Sequence, residues 1–339
     1  MKLRPAADLD ASFEDAYRDG KIGLQFGTGV NPELAAKVPN PHLKRYIAEG
    51  LFSQCHRREY VNRRIDEFNS ICQVLARSGH NPALLQKLLN CNKKRPSNLT
   101  LSPYCRQMRV GHDVRCMTSS FAHVSDEDIK FFTGIVAVLY GTPDEVEKQA
   151  RAIMELTRRK LRNHHADRAK RWDWYREIVI HGYFEIELYR YRRSHKKAAE
   201  AGLDVETRQK MRKRRRKYKL LRKLGLDPKR DEDFYLLHWH ALAYIPDLER
   251  YKKGLKKKGM FPHKHQIKFS PRHQDQERAD RFRILAAYRV KAAPRSGRLF
   301  GKRRLPILPT EPLLNYVDLY GKLNYKMLSF NFGTAASLD

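Results

Sequence analysis

Two stretches of the chain are apolar and β-prone with polar residues set two apart, while helical spacing dominates elsewhere. In Phe234-Tyr-Leu-Leu-His-Trp-His-Ala-Leu-Ala-Tyr-Ile245 the residues are apolar and β-prone, which predicts a strand. Strand side chains repeat every two residues. Leu237, Trp239, Ala241, Ala243 and Ile245 therefore share one face, and His238 and His240 share the other. Within Trp172 to Arg190 the same period places Phe184, Ile186 and Leu188 on one side and Tyr183, Glu185, Glu187 and Tyr189 on the other. Val114 to Phe121 reads as the first core strand, leading into a helix capped near Ser125.

The helical signals begin upstream. Residues 1 to about 30 read as a loosely ordered leader. Val61, Ile65, Phe68, Cys72 and Leu75 fall at steps of three and four, the apolar stripe of an amphipathic helix that Ser78-Gly-His-Asn-Pro82 ends. Pro82 to Leu89 starts another. Thr142-Pro-Asp-Glu145 is a capping box with proline at the first helical position, and the helix it opens carries Val146, Ala150, Ile153 and Leu161 on one face. Gln266 to Ser270 reads as a short strand and Asp275 to Ala292 as a helix. The segment Asn315 to Lys322, after a Pro/Arg-rich connector, reads as a tail folded back on the core. The expected organisation is a helical N-terminal module and connector over 1–109, a core over 110–299 and a C-terminal tail over 300–339. The fold class is α+β.

Charge changes the functional picture. Lys and Arg number 69 against 38 Asp and Glu, a formal net charge of +31. That excess sets the chain apart from ordinary metabolic enzymes and predicts a polyanionic partner, nucleic acid first. A basic insertion at about 193–231 separates the two strands, with Arg208, Lys210, Arg212, Lys213, Arg214, Arg215, Arg216 and Lys217 at its centre. Such an arm neutralises phosphates and carries affinity with little sequence information. The start lacks an apolar h-region and no run reaches transmembrane length, so the expectation is a soluble, cytoplasmic protein with no membrane partner.

Two imidazoles on one strand face are candidate ligands for a divalent cation, with ordinarily partnered strand histidines as the competing reading. Glu185 and Glu187 share a strand face that requires solvent, cations or a metal, and both are eligible as a third ligand. Cys91, Cys105, His112 and Cys116 are a weaker tetrahedral set, because no C-x-x-C is present. Partly buried, unliganded cysteines are the preferred reading there.

Taken in order, Arg115-Cys-Met-Thr-Ser-Ser120, Gly182-Tyr-Phe with Glu187, Leu237-His-Trp-His-Ala-Leu242 and Tyr288-Arg-Val-Lys291 resemble the HUH endonuclease superfamily, specifically the rolling-circle replication initiators of plasmids. The match spans roughly 110 to 295. Its first motif departs from the family's Thr-Leu-Thr pattern, and the basic insertion is long. The resemblance implies a central antiparallel sheet with flanking helices, an HUH/RRM-like nuclease core. It also implies a site-specific nickase acting on a single-stranded or hairpin DNA origin, with host helicase and polymerase as partners. On this reading Tyr288 is the nucleophile that becomes joined to a 5′-phosphate, and Lys291 favours its phenolate. His238, His240 and Glu187 hold Mn²⁺ or Mg²⁺, and Glu185 is the alternative ligand or positions a water. Tyr316 and Tyr320, four apart, are rival nucleophiles, set aside because Gly321 is expected to break their helix and no lysine follows three residues later. An HUH transposase or mobilisation relaxase is the alternative within the superfamily. A non-catalytic basic nucleic-acid-binding protein is the alternative outside it.

Overall fold

The computed structural model describes residues 58–91, 96–189, 216–227, 229–230, 232–257, 259–270 and 310–333, together with Arg278, Phe282, Ala286 and Leu308. Its centre is a five-stranded antiparallel sheet. In chain order come α1 (Arg58–Ser78), α2 (Pro82–Leu89), α3 (Pro103–Ser120), β1 (Lys130–Leu139), α4 (Pro143–Ala169), a 3₁₀ turn (Asp173–Tyr175) and β2 (Val179–Tyr189). They are followed by β3 (Phe234–Tyr244), α5 (Leu248–Lys257), β4 (Ile267–Ser270), α6 (Thr310–Lys322), α7 (Tyr325–Leu328) and β5 (Ser329–Phe332). The strand order is β4-β1-β3-β2-β5, so the histidine strand lies in the middle and is paired along both edges. The α+β class with a central antiparallel sheet agrees with the pattern of the sequence.

Each sheet face has its own cover. On the rear face Trp239 is fully buried among Phe132, Phe184, Phe261 and Phe330. Its cross-strand partner on β1 is Gly134, where a Cβ would come within 2.4 Å of the indole. Glycine is needed there for the indole to approach the β1 backbone this closely. Helices α4 and α5 cover this side: Arg158 of α4 lies over the Phe184 ring, and Tyr251 of α5 meets Phe269. The front face carries Tyr183, Glu185, His238 and His240, with α3 above it. From α3, Arg109 donates to the Tyr183 hydroxyl, which donates to Asp113 at 3.3 Å.

Two expectations fail on α3 and β1. Val114 to Phe121 is not a strand; it ends α3, which Ser102 caps by accepting from the Cys105 amide, with Pro103 in the first turn. The buried positions Val110, Val114, Met117 and Phe121 recur every three or four residues, a helical period that a short window read as alternation obscures. The segment expected to become helical near Ser125 turns instead into β1, whose Phe-Phe-Thr-Gly-Ile-Val-Ala-Val-Leu run is β-branched and aromatic.

Other expectations hold. The Thr142 capping box forms, with Thr142 and Glu145 exchanging side-chain and backbone hydrogen bonds, and α4 runs to Ala169. The C-terminal segment folds back and goes further, since β5 becomes a strand of the sheet. One hydrophobic core joins Phe68 of α1 to Phe332 of β5, so residues from all three expected segments pack together. Among the described residues no helix is long and apolar enough to cross a membrane.

Candidate metal centre

The site is built by strand register. His238 lies opposite Glu185 of β2 and Ile135 of β1; His240 lies opposite Tyr183 and Thr133. Cross-strand partners project to the same face, so two adjacent strands deliver two imidazoles and a carboxylate to one spot. Glu185 Oε2 lies 3.2 Å from His240 Nε2 and 3.6 Å from His238 Nε2. One ligand atom from each of the three lies within 4.8 Å of the others, and among the described residues this is the group so arranged. Ligand bonds of about 2.0–2.2 Å put neighbouring donor atoms about 3–3.5 Å apart around one ion. The two separations from Glu185, 3.2 Å and 3.6 Å, are close to that spacing.

The surroundings are dry and fixed. The Glu185 side chain is only 5% exposed and that of His240 9%. The His240 ring stacks on Phe131 with centroids 5.6 Å apart and stands edge-on to His238. A carboxylate withdrawn from water to this degree needs positive partners or a cation.

Glu187 stands differently. It lies 3.8 Å from His238 Nε2, and its Oε2 accepts from the Tyr189 hydroxyl at 3.0 Å. Lys217 in turn donates to that hydroxyl at 2.7 Å and sits 4.8 Å from the ring centre. A chain of contacts thus runs from the helical stretch 216–223 of the basic insertion through Tyr189 to the second carboxylate. Tyr189 and Lys217 were each legible as residues, yet their contact is set by how 216–223 packs: Leu221, Leu226, Tyr189, Phe234 and Leu236 form a small separate core.

The remaining sequence candidates are placed as follows. Arg208, Lys210, Arg212, Lys213, Arg214 and Arg215 lie outside the described residues, and so do Tyr288 and Lys291. Arg216 is exposed at the start of the described helical stretch. Upstream of Tyr288, Phe282 packs on Phe121, which packs on His181 of β2, while Arg278 donates to Asp126 and to the carbonyl oxygens of Phe121 and Val124. His181 lies opposite Leu242, the next front-face position after His240, so Phe282 lies on the front side of the sheet. Tyr316 and Tyr320 sit on α6, which continues through Gly321 to Lys322. The expected break does not occur: a Cβ at Gly321 would come 3.0 Å from Leu84, so the glycine serves close helix packing. Both hydroxyls are pushed well above the ordinary tyrosine range, first by burial, then in Tyr320 by the Glu185 carboxylate. Cys91 and Cys105 are buried with sulfurs 3.4 Å apart, whereas His112 and Cys116 pair one turn apart on α3. The four do not gather as one ligand set.

No protein-family model matches the chain, and no curated protein or solved structure matches it.

Proposed function

We propose that this protein is a metal-dependent endonuclease that cuts and rejoins single-stranded DNA, of the HUH type that starts rolling-circle replication. The observation that carries the reading is the convergence of Glu185, His238 and His240 from paired strands at the centre of the sheet. The order of motifs along the chain and the net charge of +31 support it.

Two imidazoles and one carboxylate suit Mn²⁺ and tolerate Mg²⁺. A divalent cation bound there supplies charge stabilisation at a phosphate oxygen. Glu185 is the acidic ligand in this proposal, and Glu187 is the neighbouring carboxylate, which exchanges the roles expected from sequence. Tyr189 holds Glu187 beside His238, where it can accept the proton of an attacking hydroxyl. Tyr288 attacks phosphorus through its phenolate oxygen. The bond to the 3′-oxygen breaks with its electron pair, and that oxygen takes up a proton from water or from protonated Glu187, leaving a free 3′-hydroxyl and a 5′-phosphotyrosine. Lys291 offsets the phenolate charge, and the arm that includes Arg216 and Lys217 holds the phosphodiester backbone.

The test is incubation with single-stranded oligonucleotides and Mn²⁺, followed by denaturing electrophoresis. A covalent protein–DNA product that disappears in Tyr288→Phe and in His240→Ala is expected. Binding with no covalent product across hairpin and linear substrates identifies a non-catalytic binder instead, and a preference for transposon-like ends identifies a transposase.

A further inference from the structure

The rear of the molecule carries a second concentration of cations, and it is interleaved with tryptophan. The end of α4, the 3₁₀ turn and α5 come together there. Trp172 has the Arg250 guanidinium 4.4 Å and the Arg168 guanidinium 5.1 Å from its ring centre. Trp172 also stacks on Tyr175, and Trp174 lies 4.1 Å from the same ring. Both tryptophans are partly exposed, and Lys170, Arg171, Arg176, Arg250 and Lys253 around them are exposed. Two donors in this patch, Nε of Arg168 and the indole N–H of Trp174, are buried without a hydrogen-bond partner. Buried donors of this kind are costly unless an acceptor arrives. Gly254 lets the Arg168 side chain wedge between the helices, since a Cβ there would come 3.2 Å from its guanidinium carbon.

We infer that this rear patch is a second binding surface for single-stranded DNA, with phosphates on the exposed cations and bases stacked against Trp172 and Trp174. Indole faces stack any base, and flanking arginines neutralise the backbone. Tyr175 packs with Tyr251, which meets Phe269 on the rear face, so the patch is on the opposite side of the sheet from His238 and His240. A strand engaging both passes around a sheet edge. The inference stands independently of metal binding or cleavage.

The chain has three tryptophans, and the third, Trp239, is fully buried. Intrinsic fluorescence therefore reports on this surface. With the full chain in chelator, titration with an oligo-dT is expected to quench tryptophan emission. Trp172→Phe loses most of that quenching, and Arg171→Glu/Arg250→Glu weakens the titration at least about tenfold at fixed salt. Heparin, a polyanion without bases, is expected to bind with little quenching. Circular dichroism melting confirms that each variant folds. Binding of oligo-dT without quenching, equal quenching by heparin, or an unchanged titration in the charge-reversed variant overturns the inference. These outcomes are independent of nicking, so failure of the metal-centre proposal leaves them readable.

Discussion

The Tyr320 hydroxyl donates to the Ile186 carbonyl oxygen at 2.7 Å and accepts from the Ile186 amide at 3.0 Å. Strand β5 pairs with β2 only from Ile180 to Tyr183, so beyond that point a side chain from α6 satisfies the sheet edge. Buried backbone groups must find partners, and here one phenol serves both. A tyrosine committed in this way, fully buried and beside Glu185, is a structural group and a poor nucleophile.

Tyr320→Phe is accordingly expected to lower stability by about 1–3 kcal/mol, because the Ile186 amide and carbonyl lose their partner in a dry setting. The covalent product with DNA should persist in this variant. Denaturant melts and the denaturing-gel assay read the two outcomes separately.

Behind the sheet, Gly182 faces the Phe330 ring, and a Cβ there would come 2.2 Å from it. Gly182→Ala should displace β5 from the edge of β2 and cost about 1–3 kcal/mol through overpacking. Hydrogen exchange at the β5 amides should rise more than at those of β1, which tells local detachment from general loosening.

Acid sensitivity has an identifiable source in His165. Burial, with a smaller contribution from His164, depresses its pKa from 6.5 to about 3. Its Nε2 lies 2.9 Å from the Tyr251 hydroxyl, and Tyr175 and Phe332 close the pocket. The unfolded chain takes up this proton below pH 6.5 while the folded chain refuses it until about pH 3. Stability therefore falls as pH drops through that window, by up to about 1.4 kcal/mol per pH unit. Replacement by glutamine should flatten the decline in unfolding free energy between pH 6.5 and 4. An unchanged slope would assign the acid sensitivity to other groups.

Tyr189 stacks on Phe234 with ring centroids 5.2 Å apart, so Tyr189→Phe keeps the packing and removes the hydrogen bond to Glu187. The nicking rate should fall about tenfold, a typical effect of removing an outer partner of a site, with the melting temperature nearly unchanged. A rate equal to that of the parent would leave the Tyr189 hydroxyl without a role in turnover.

The strands that carry the site were legible because His238 with His240, and Glu185 with Glu187, stand two residues apart within apolar, β-prone runs. Their convergence follows from that spacing once the strands pair with His238 opposite Glu185. Which carboxylate comes closest was not legible: Glu185 and Glu187 share a face, and only the register separates them by one step along the strand. Strand β1 was missed because residues 114–121, with helical burial, supplied a plausible competitor next to it. The Lys217–Tyr189 contact depends on tertiary packing across residues far apart in sequence and left no local signature. Of the two signals against Tyr316 and Tyr320, the absence of a lysine three residues later stands, but the helix break at Gly321 does not occur; for Tyr320, burial and the bond to Ile186 give the physical reason.

Calorimetric titration with Mn²⁺ tests the central claim most directly, namely that Glu185, His238 and His240 together hold one divalent cation. One ion per chain is expected in the parent protein, with affinity reduced by at least about a hundredfold in Glu185→Gln and much less in Glu187→Gln. No binding by the folded parent, or binding that survives Glu185→Gln and is lost in Glu187→Gln, would contradict it.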